Sequence, residues 1–272
     1  MVERTLLQGR RLLNHEERLM NGIKAVGFDL FNTLITVEPH ALDHAVRILA
    51  GSLQEEKIEV EFETFREAHR QAALQHITET HHNGRETHNR FWISTALKQL
   101  GYEVDPDDPR IARAIEVYFS AFVEYCHLIP GTEEMLGALK DRYSLGLLSN
   151  FTHPPAAKAI LDGLGIASSF DVVLISGEVG YRKPHPYVFQ LLLEELGVEP
   201  GELIYVGDDP EPDIDGACRV GIQPVWTTYV RDRRIPLAPG IATEQLDGPR
   251  CIAPRISNWD ELLALLGLRT EN

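Results

Sequence analysis

Short apolar runs alternate along this chain with longer stretches whose apolar residues recur every third or fourth position. The runs fall at 24–28, 144–148, 171–175, 203–206 and 223–227, and each is followed by a polar residue or glycine. The amphipathic stretches lie between the later runs, at 132–140, 155–164, 186–196 and 214–220. Buried strands alternating with amphipathic helices predict βαβ units. The fold class is therefore α/β, with a doubly wound, Rossmann-like parallel sheet.

The rhythm breaks between Pro39 and about His127, where no strand pattern appears. Four helices are predicted there, at 41–55, 61–80, 86–100 and 109–126, punctuated by Gly84 and by the proline-flanked segment 106–109. An all-helical block directly after the first strand predicts an inserted cap over the strand ends. The expected organisation is an N-terminal extension (1–22), a core of 23–38 and 128–272, and a helical cap of 39–127. In the extension, Leu6, Leu7, Leu12, Leu13 and Leu19 can form one side of a short helix, to which no function is assigned. Residues 230–255 are rich in proline and charge and predict no element. Ser257 is expected to cap a last helix, 259–266, with Asp260 at the third position.

Composition narrows the function classes. Of 272 residues, 43% are hydrophobic and 25% charged, as in ordinary soluble globular proteins. A formal charge of −15 excludes a general electrostatic grip on nucleic acid or anionic lipid. It remains compatible with a small anionic substrate in a locally positive pocket. No window approaches the ~18 apolar residues of a membrane span, and the N-terminal stretch lacks the apolar heart of a signal peptide. Cys126, Cys218 and Cys251 have no paired spacing, so neither a disulfide framework nor a zinc site is expected, and the predicted setting is a reducing cytoplasm. The expected assembly is a monomer or homodimer.

The candidate chemistry lies at two strand ends separated by most of the chain. The first apolar run ends in Asp29-Leu30-Phe31-Asn32-Thr33-Leu34, and the run at 203–206 ends in Gly207-Asp208-Asp209, with Asp213 four positions after Asp209. A parallel sheet can bring both to one edge, where open α/β sheets hold their ligands. Clustered carboxylates repel unless a proton or hard cation intervenes, and oxygen-only donors favour Mg²⁺.

Together with Leu147-Leu148-Ser149-Asn150 and Arg182-Lys183-Pro184-His185-Pro186, these segments resemble, in order and spacing, the four motifs of the haloacid dehalogenase superfamily. The resemblance runs from Ile23 to about Trp226, and the helical insertion is similar to that family's first type of cap. It implies a Mg²⁺-dependent phosphatase acting on a small phosphorylated substrate. Asp29 would be the nucleophile that carries an aspartyl phosphate. Thr33 would fix the loop and help place the phosphate, Ser149 would donate to a phosphate oxygen, and Lys183 would offset developing negative charge. Phe31, Asn32 and Asn150 join the implied substrate contacts. The implied metal ligands are Asp29, the carbonyl of Phe31 and Asp208, with Asp209 and Asp213 acting directly or through water. Asp213 reads equally well as a helix N-cap.

Phe31 departs from the family pattern. Its phosphatases carry there an aspartate that protonates the leaving oxygen and then activates water, and phenylalanine can do neither. Losing such help costs ~10²–10⁴ in rate, less for acyl or aryl phosphates whose leaving groups are weak bases. An aromatic at this position also resembles the 2-haloacid dehalogenases, which attack carbon without metal. Against that reading stand the acids Asp208, Asp209 and Asp213, Phe189 in place of that branch's tyrosine, and Val60 in place of its halide-binding arginine. A non-catalytic descendant that binds a phosphorylated ligand is the third reading. In the cap, Arg85 or Arg90, at the expected start of the third helix, is a candidate for gripping a second anionic group. His76, His81, His82 and His88 lack zinc-helix spacing and read as a polar loop. His153, just past Ser149, is a candidate substitute proton donor.

Overall fold

The structure, a computed structural model, describes residues 22–237 and 248–268. The leucine stripe of the N-terminal extension lies outside the described residues. The chain runs through β1 (Ala25–Phe28) and β2 (Ile35–Val37) into α1 (Ala41–Glu55), α2 (Phe62–Asn83), α3 (Asn89–Gln99) and α4 (Pro109–Val123), and returns by β3 (Cys126–Leu128). There follow α5 (Thr132–Lys140), β4 (Ser144–Ser149), α6 (Pro154–Gly163), β5 (Val172–Ile175), α7 (Ser176–Val179) and α8 (Pro186–Leu196). The last part comprises β6 (Leu203–Gly207), α9 (Gly216–Arg219), β7 (Gln223–Thr227), α10 (Tyr229–Asp232), β8 (Arg255–Ile256) and α11 (Trp259–Leu265).

Six strands form a parallel sheet in the order β5-β4-β1-β6-β7-β8. The winding direction reverses at β1, the topological position where such sheets open a crevice. Period-two burial explains the layering. Val26, Phe28, Leu145, Leu147, Ile204 and Val206 face Leu136, Leu139, Ile160 and Leu262 of α5, α6 and α11. Ala25, Leu148, Leu203 and Tyr205 face Phe189 and Leu192 of α8. Gly27 and Gly146 lie on that second face; a Cβ at Gly27 would come 2.9 Å from the Tyr205 ring, and one at Gly146 2.8 Å from Leu192. Their missing side chains let α8 settle against the sheet.

The helical insertion has a separate core in which Leu49, Leu53, Phe65, Ile93, Leu97 and Ile111 are buried. It leaves and rejoins the sheet-bearing part through an antiparallel ribbon, Ile35 opposite Leu128 and Val37 opposite Cys126. Three-residue strands carry too few positions to show alternation, so the sequence pattern missed both, and the expected fourth helix stops at Val123. The third begins at Asn89 rather than at residue 86, because 84–88 lie against 180–182. There Glu86 N donates to Gly180 O, and Arg182 N to Gly84 O, both at 3.0 Å.

Other boundaries also moved. The expected helix at 214–220 is a π-helical turn, Pro210–Asp215, followed by α9. Asn258, not Ser257, caps α11, accepting from Glu261 N at 3.0 Å. The region read as elementless contains α10 and β8, although 238–247 lie outside the described residues. No helix among the described residues is long and apolar enough to cross a membrane.

The expectation of unpaired cysteines fails for two of the three. Cys218 and Cys251 form a disulfide, while Cys126 is free and buried. The bridged segment is held again at Asp215, whose Oδ1 accepts from Arg250 N and Cys251 N at 2.9 Å each. The thirty-three-residue separation hid this pairing, because tertiary folding alone brings the two thiols together. Cys251→Ser is expected to lower stability by about 2–4 kcal/mol. Urea denaturation under non-reducing conditions measures this, and an unchanged midpoint would show that the bridge restrains nothing.

Candidate active site

Strand register assembles the site before any side chain is considered. Phe28 lies beside Leu147 of β4 and Val206 of β6, so the chain emerges from three neighbouring strands at one edge. Asp29, Ser149 and Asp208 stand at those three exits. Asp29 N donates to Val206 O at 2.9 Å, tying the first exit to the third. Oxygens of Asp29, Asp208 and Asp213 lie within 4.8 Å of one another, and all three residues are buried.

Asp213 enters the group because the chain folds back over the end of β6. Its carboxylate accepts from Asp209 N at 2.9 Å. A Cβ at Gly207 would lie 2.4 Å from Asp213, so the return requires glycine. Thr33 Oγ1 donates to Asp208 Oδ1 at 3.4 Å, linking the first loop to the last. Between Asp29 and Thr33 the backbone turns through Asn32 at φ +59°, a left-handed conformation that asparagine tolerates.

Lys183 is the buried cation of the site, with 3% of its surface exposed. Its Nζ donates to Asp29 Oδ1 at 2.5 Å, to Asp213 Oδ1 at 2.7 Å and to Tyr205 Oη at 2.9 Å. Tyr205 Oη donates onward to Leu148 O at 2.9 Å. Asn150 fixes the lysine backbone from both sides: its Nδ2 donates to Lys183 O at 3.0 Å, and its Oδ1 accepts from Lys183 N at 2.8 Å. Asn150 was expected to contact phosphate; its amide is instead engaged in positioning Lys183.

The Lys183 ammonium does not balance three buried carboxylates, and the Arg231 charge that also acts on Asp208 is outweighed by burial and the neighbouring acids. Burial is the largest influence on Asp29; Lys183 opposes it and Asp213 adds to it, leaving the carboxyl pushed up to about 7. Asp208 is raised well above the usual carboxylate range by burial, then by Asp213 and Asp29. Burial alone would lower Lys183, but Asp213 and Asp29 reverse the sign and raise it. The donors are all oxygen, close and net negative, which fits a hard divalent cation. Ser149 Oγ is buried with no hydrogen-bond partner and lines the cavity above the acids, as a donor kept for an incoming anion would.

The cavity has a volume of about 590 Å³ and includes Asp29, Phe31, Asn32, Ser149, Lys183, Asp208, Asp209 and Asp213 in its lining. Asp209 lies outside the close trio and its side chain is exposed at the cavity. Arg85 was expected to reach the substrate, yet it is exposed, sits 5.3 Å over the Tyr181 ring and does not line the cavity. Arg90 is paired with Asp107 at 2.6 Å. His153 is not among the lining residues either; its ring stacks on Phe119 at 4.4 Å and its Nε2 is 3.4 Å from Glu116. His76 and His82 belong to α2 rather than to a loop, with His76 Nε2 3.0 Å from Thr95 Oγ1, and the side chain of His81 lies outside the described residues.

Sequence reasoning missed Tyr205, which reads as one more apolar position in a buried strand. It also missed Phe122 and Phe151, whose rings line the cavity beside Phe31. The signal for Phe151 was present: it follows Ser149 by the spacing that separates Phe31 from Asp29.

Lys183→Met would leave Asp29 and Asp213 uncompensated, so stability at pH 8 is expected to fall by about 3–5 kcal/mol. In the metal-free protein, folded Asp29 holds its proton to about pH 7 whereas the unfolded side chain releases it near 3.8. The folded state therefore binds more protons across that window, and its stability falls as pH rises through it. Urea denaturation across the range, for both proteins, tests the pair of statements. A stability that climbs toward pH 7 in Asp29-intact protein, and is lost in Asp29→Asn, would contradict the assignment.

Comparison with known proteins agrees with this architecture. The family model for haloacid dehalogenase-like hydrolases matches residues 23–221. A phosphoserine phosphatase of Thermus thermophilus is 40% identical over 120 residues, 43% of this chain and 47% of that enzyme, so the match spans about half its length. A ribulose-1,5-bisphosphate 5-phosphatase of Halopiger xanaduensis is 32% identical over 74% of this chain and 83% of its own. Among solved structures, a 2-haloacid dehalogenase of Pseudomonas syringae superimposes with a TM-score of 0.66 at 24% identity, covering 90% of this chain and 98% of its own, and thus shares the fold. A HAD phosphatase of Thermococcus onnurineus gives 0.62 at 25% identity, covering 91% and 99%. The chain is a hydrolase and belongs to the haloacid dehalogenase-like family.

Proposed function

We propose that the protein is a Mg²⁺-dependent phosphohydrolase of small phosphorylated molecules, acting through an aspartyl phosphate on Asp29. Its substrates are restricted to those with weakly basic leaving groups. The observation that carries this reading is the buried trio Asp29, Asp208 and Asp213, with oxygens within 4.8 Å, beside the ammonium of Lys183. Dehalogenation at carbon makes no use of such a trio. The phosphatase names of the relatives similar over most of this chain support the same choice.

Each residue has a role its chemistry allows. An oxygen of Asp29 attacks phosphorus while the bond from phosphorus to the leaving oxygen breaks, its electron pair departing with that oxygen. Ser149 Oγ donates to a phosphoryl oxygen, and Lys183 offsets the charge carried by Asp29 and the transferring group. Asn32, in the loop between Asp29 and Thr33, lines the cavity, while Thr33 holds that loop on Asp208. Water then attacks phosphorus, releasing orthophosphate and restoring the Asp29 carboxylate. Mg²⁺ held by Asp29, Asp208, Asp213 and the Phe31 carbonyl, with Asp209 contributing directly or through water, would supply the positive charge the carboxylates lack. Phe31 gives no proton to the leaving oxygen and takes none from water.

Hydrolysis of acetyl phosphate is expected with Mg²⁺, to be abolished by EDTA and restored by added Mg²⁺. Release of halide from a 2-haloacid in the presence of EDTA would overturn the proposal. Calorimetric Mg²⁺ binding without turnover of any phosphate would favour the non-catalytic reading. Phe31→Asp supplies the missing acid–base group and is expected to raise kcat on an alkyl phosphate by about 10² or more. The variant also removes a ring packed against Phe122 and Phe151, so its stability is expected to fall.

A further inference from the structure

We infer that the cavity over Asp29 is shaped for an aromatic leaving group, so that the substrates are aryl phosphates gripped by Phe31, Phe151 and Phe122. This deepens the phosphohydrolase reading and rests on it.

Two neighbouring strand ends are built alike. β1 delivers Asp29 and, two positions on, Phe31; β4 delivers Ser149 and, two positions on, Phe151. The two rings stack, with centroids 5.1 Å apart and planes 25° from parallel. From α4, Phe122 approaches both, at 6.2 Å from Phe31 and 6.3 Å from Phe151. Phe31 and Phe151 stay only half-buried, and all three rings line the same cavity as Asp29, Ser149 and Lys183. The lining thus changes from charged groups to aromatic rings within two residues of each loop. A phosphoryl group at the acids places whatever it is bonded to beside those rings.

The ring wall also occupies the ground where a proton donor would be useful. His153, the nearest substitute in sequence, is stacked against Phe119 and paired with Glu116 instead. On this reading the leaving oxygen departs unprotonated, since neither Phe31 nor His153 supplies a proton to it. A phenol resembles a tyrosine side chain, with a pKa of ~10, so phenoxide can leave with the bond's electron pair and take its proton afterwards from water. An aliphatic alcohol would fit the apolar wall but needs protonation, and an acyl phosphate leaves readily but makes no use of ring faces. Aryl phosphates meet both conditions, because stacked and edge-to-face ring contacts add to simple apolar burial.

Non-hydrolysable phosphonates separate recognition from leaving-group chemistry. With Mg²⁺ present, phenylphosphonate is expected to inhibit acetyl phosphate hydrolysis with a Ki about three- to tenfold below those of methylphosphonate and cyclohexylphosphonate. Phe151→Leu, at a half-buried position, is expected to shrink that advantage and to lower the ratio of kcat/KM for phenyl over acetyl phosphate by a similar factor. Equal Ki values for the phenyl and cyclohexyl compounds overturn the inference, whatever the variant does. Turnover of acetyl phosphate with none of phenyl phosphate overturns it too, while leaving the phosphohydrolase reading standing. Turnover of neither ends both.

Discussion

A single buried ammonium holds this site together. Lys183 arrives from the loop after α7, is fixed by the side-chain amide of Asn150, and bonds Asp29, Asp213 and Tyr205 at once. Isolated buried charges are costly, and a buried pair holds only where its remaining bonds are satisfied. Here they are satisfied from three directions, since Tyr205, which accepts from Lys183, donates its own hydroxyl hydrogen bond to Leu148 O. Thr33 donates to Asp208, and burial together with Asp213 and Asp29 outweighs the Arg231 charge acting on it, so the acids stay short of positive charge. That residual imbalance, rather than the lysine pair, is what the proposed Mg²⁺ would relieve.

The surrounding structure serves the same constraint from outside. Gly207 leaves room for Asp213 to fold back, and the turn carrying Asp213 is backed by Asp215, which holds the segment joined through Cys218–Cys251. On the opposite side the insertion is seated by the Glu86 side chain, which is 3% exposed and accepts from Ser176 Oγ at 2.5 Å and Arg182 Nη1 at 3.2 Å. Asn89 and Thr152 are hydrogen-bonded nearby. These contacts set the aromatic side of the cavity over its acidic side. Phe122 belongs to the insertion while Phe31 and Phe151 belong to the strand-end loops, so the ring wall exists only when the two parts are packed together.

Much of this was legible from residue order. Alternating apolar runs and amphipathic stretches predicted β1, β4, β5, β6 and β7 with their helices, and four motifs predicted Asp29, Ser149, Lys183 and Asp208 at one edge. Those features depend on periodicity and on side-chain chemistry at strand ends, both of which are local. The expected role of Asn150 in phosphate contact was not legible in the same way, since its amide could serve an anion or a backbone and only the position of residue 183 decides. Arg85 failed similarly: a charge at an expected helix start instead lies beside a tyrosine from a distant loop.

The sequence by itself determined the α/β class, the helical insertion and the acidic residues at the ends of two distant strands, because binary pattern and motif spacing are written in neighbouring residues. Tertiary structure alone decided that Asp213 joins the acids while Asp209 stays outside, that Tyr205 supports the lysine, that two distant cysteines meet, and that Phe31 is one face of a ring wall. Each of these depends on a distance between segments far apart in the chain. Such distances follow from strand order and packing, which no local pattern records.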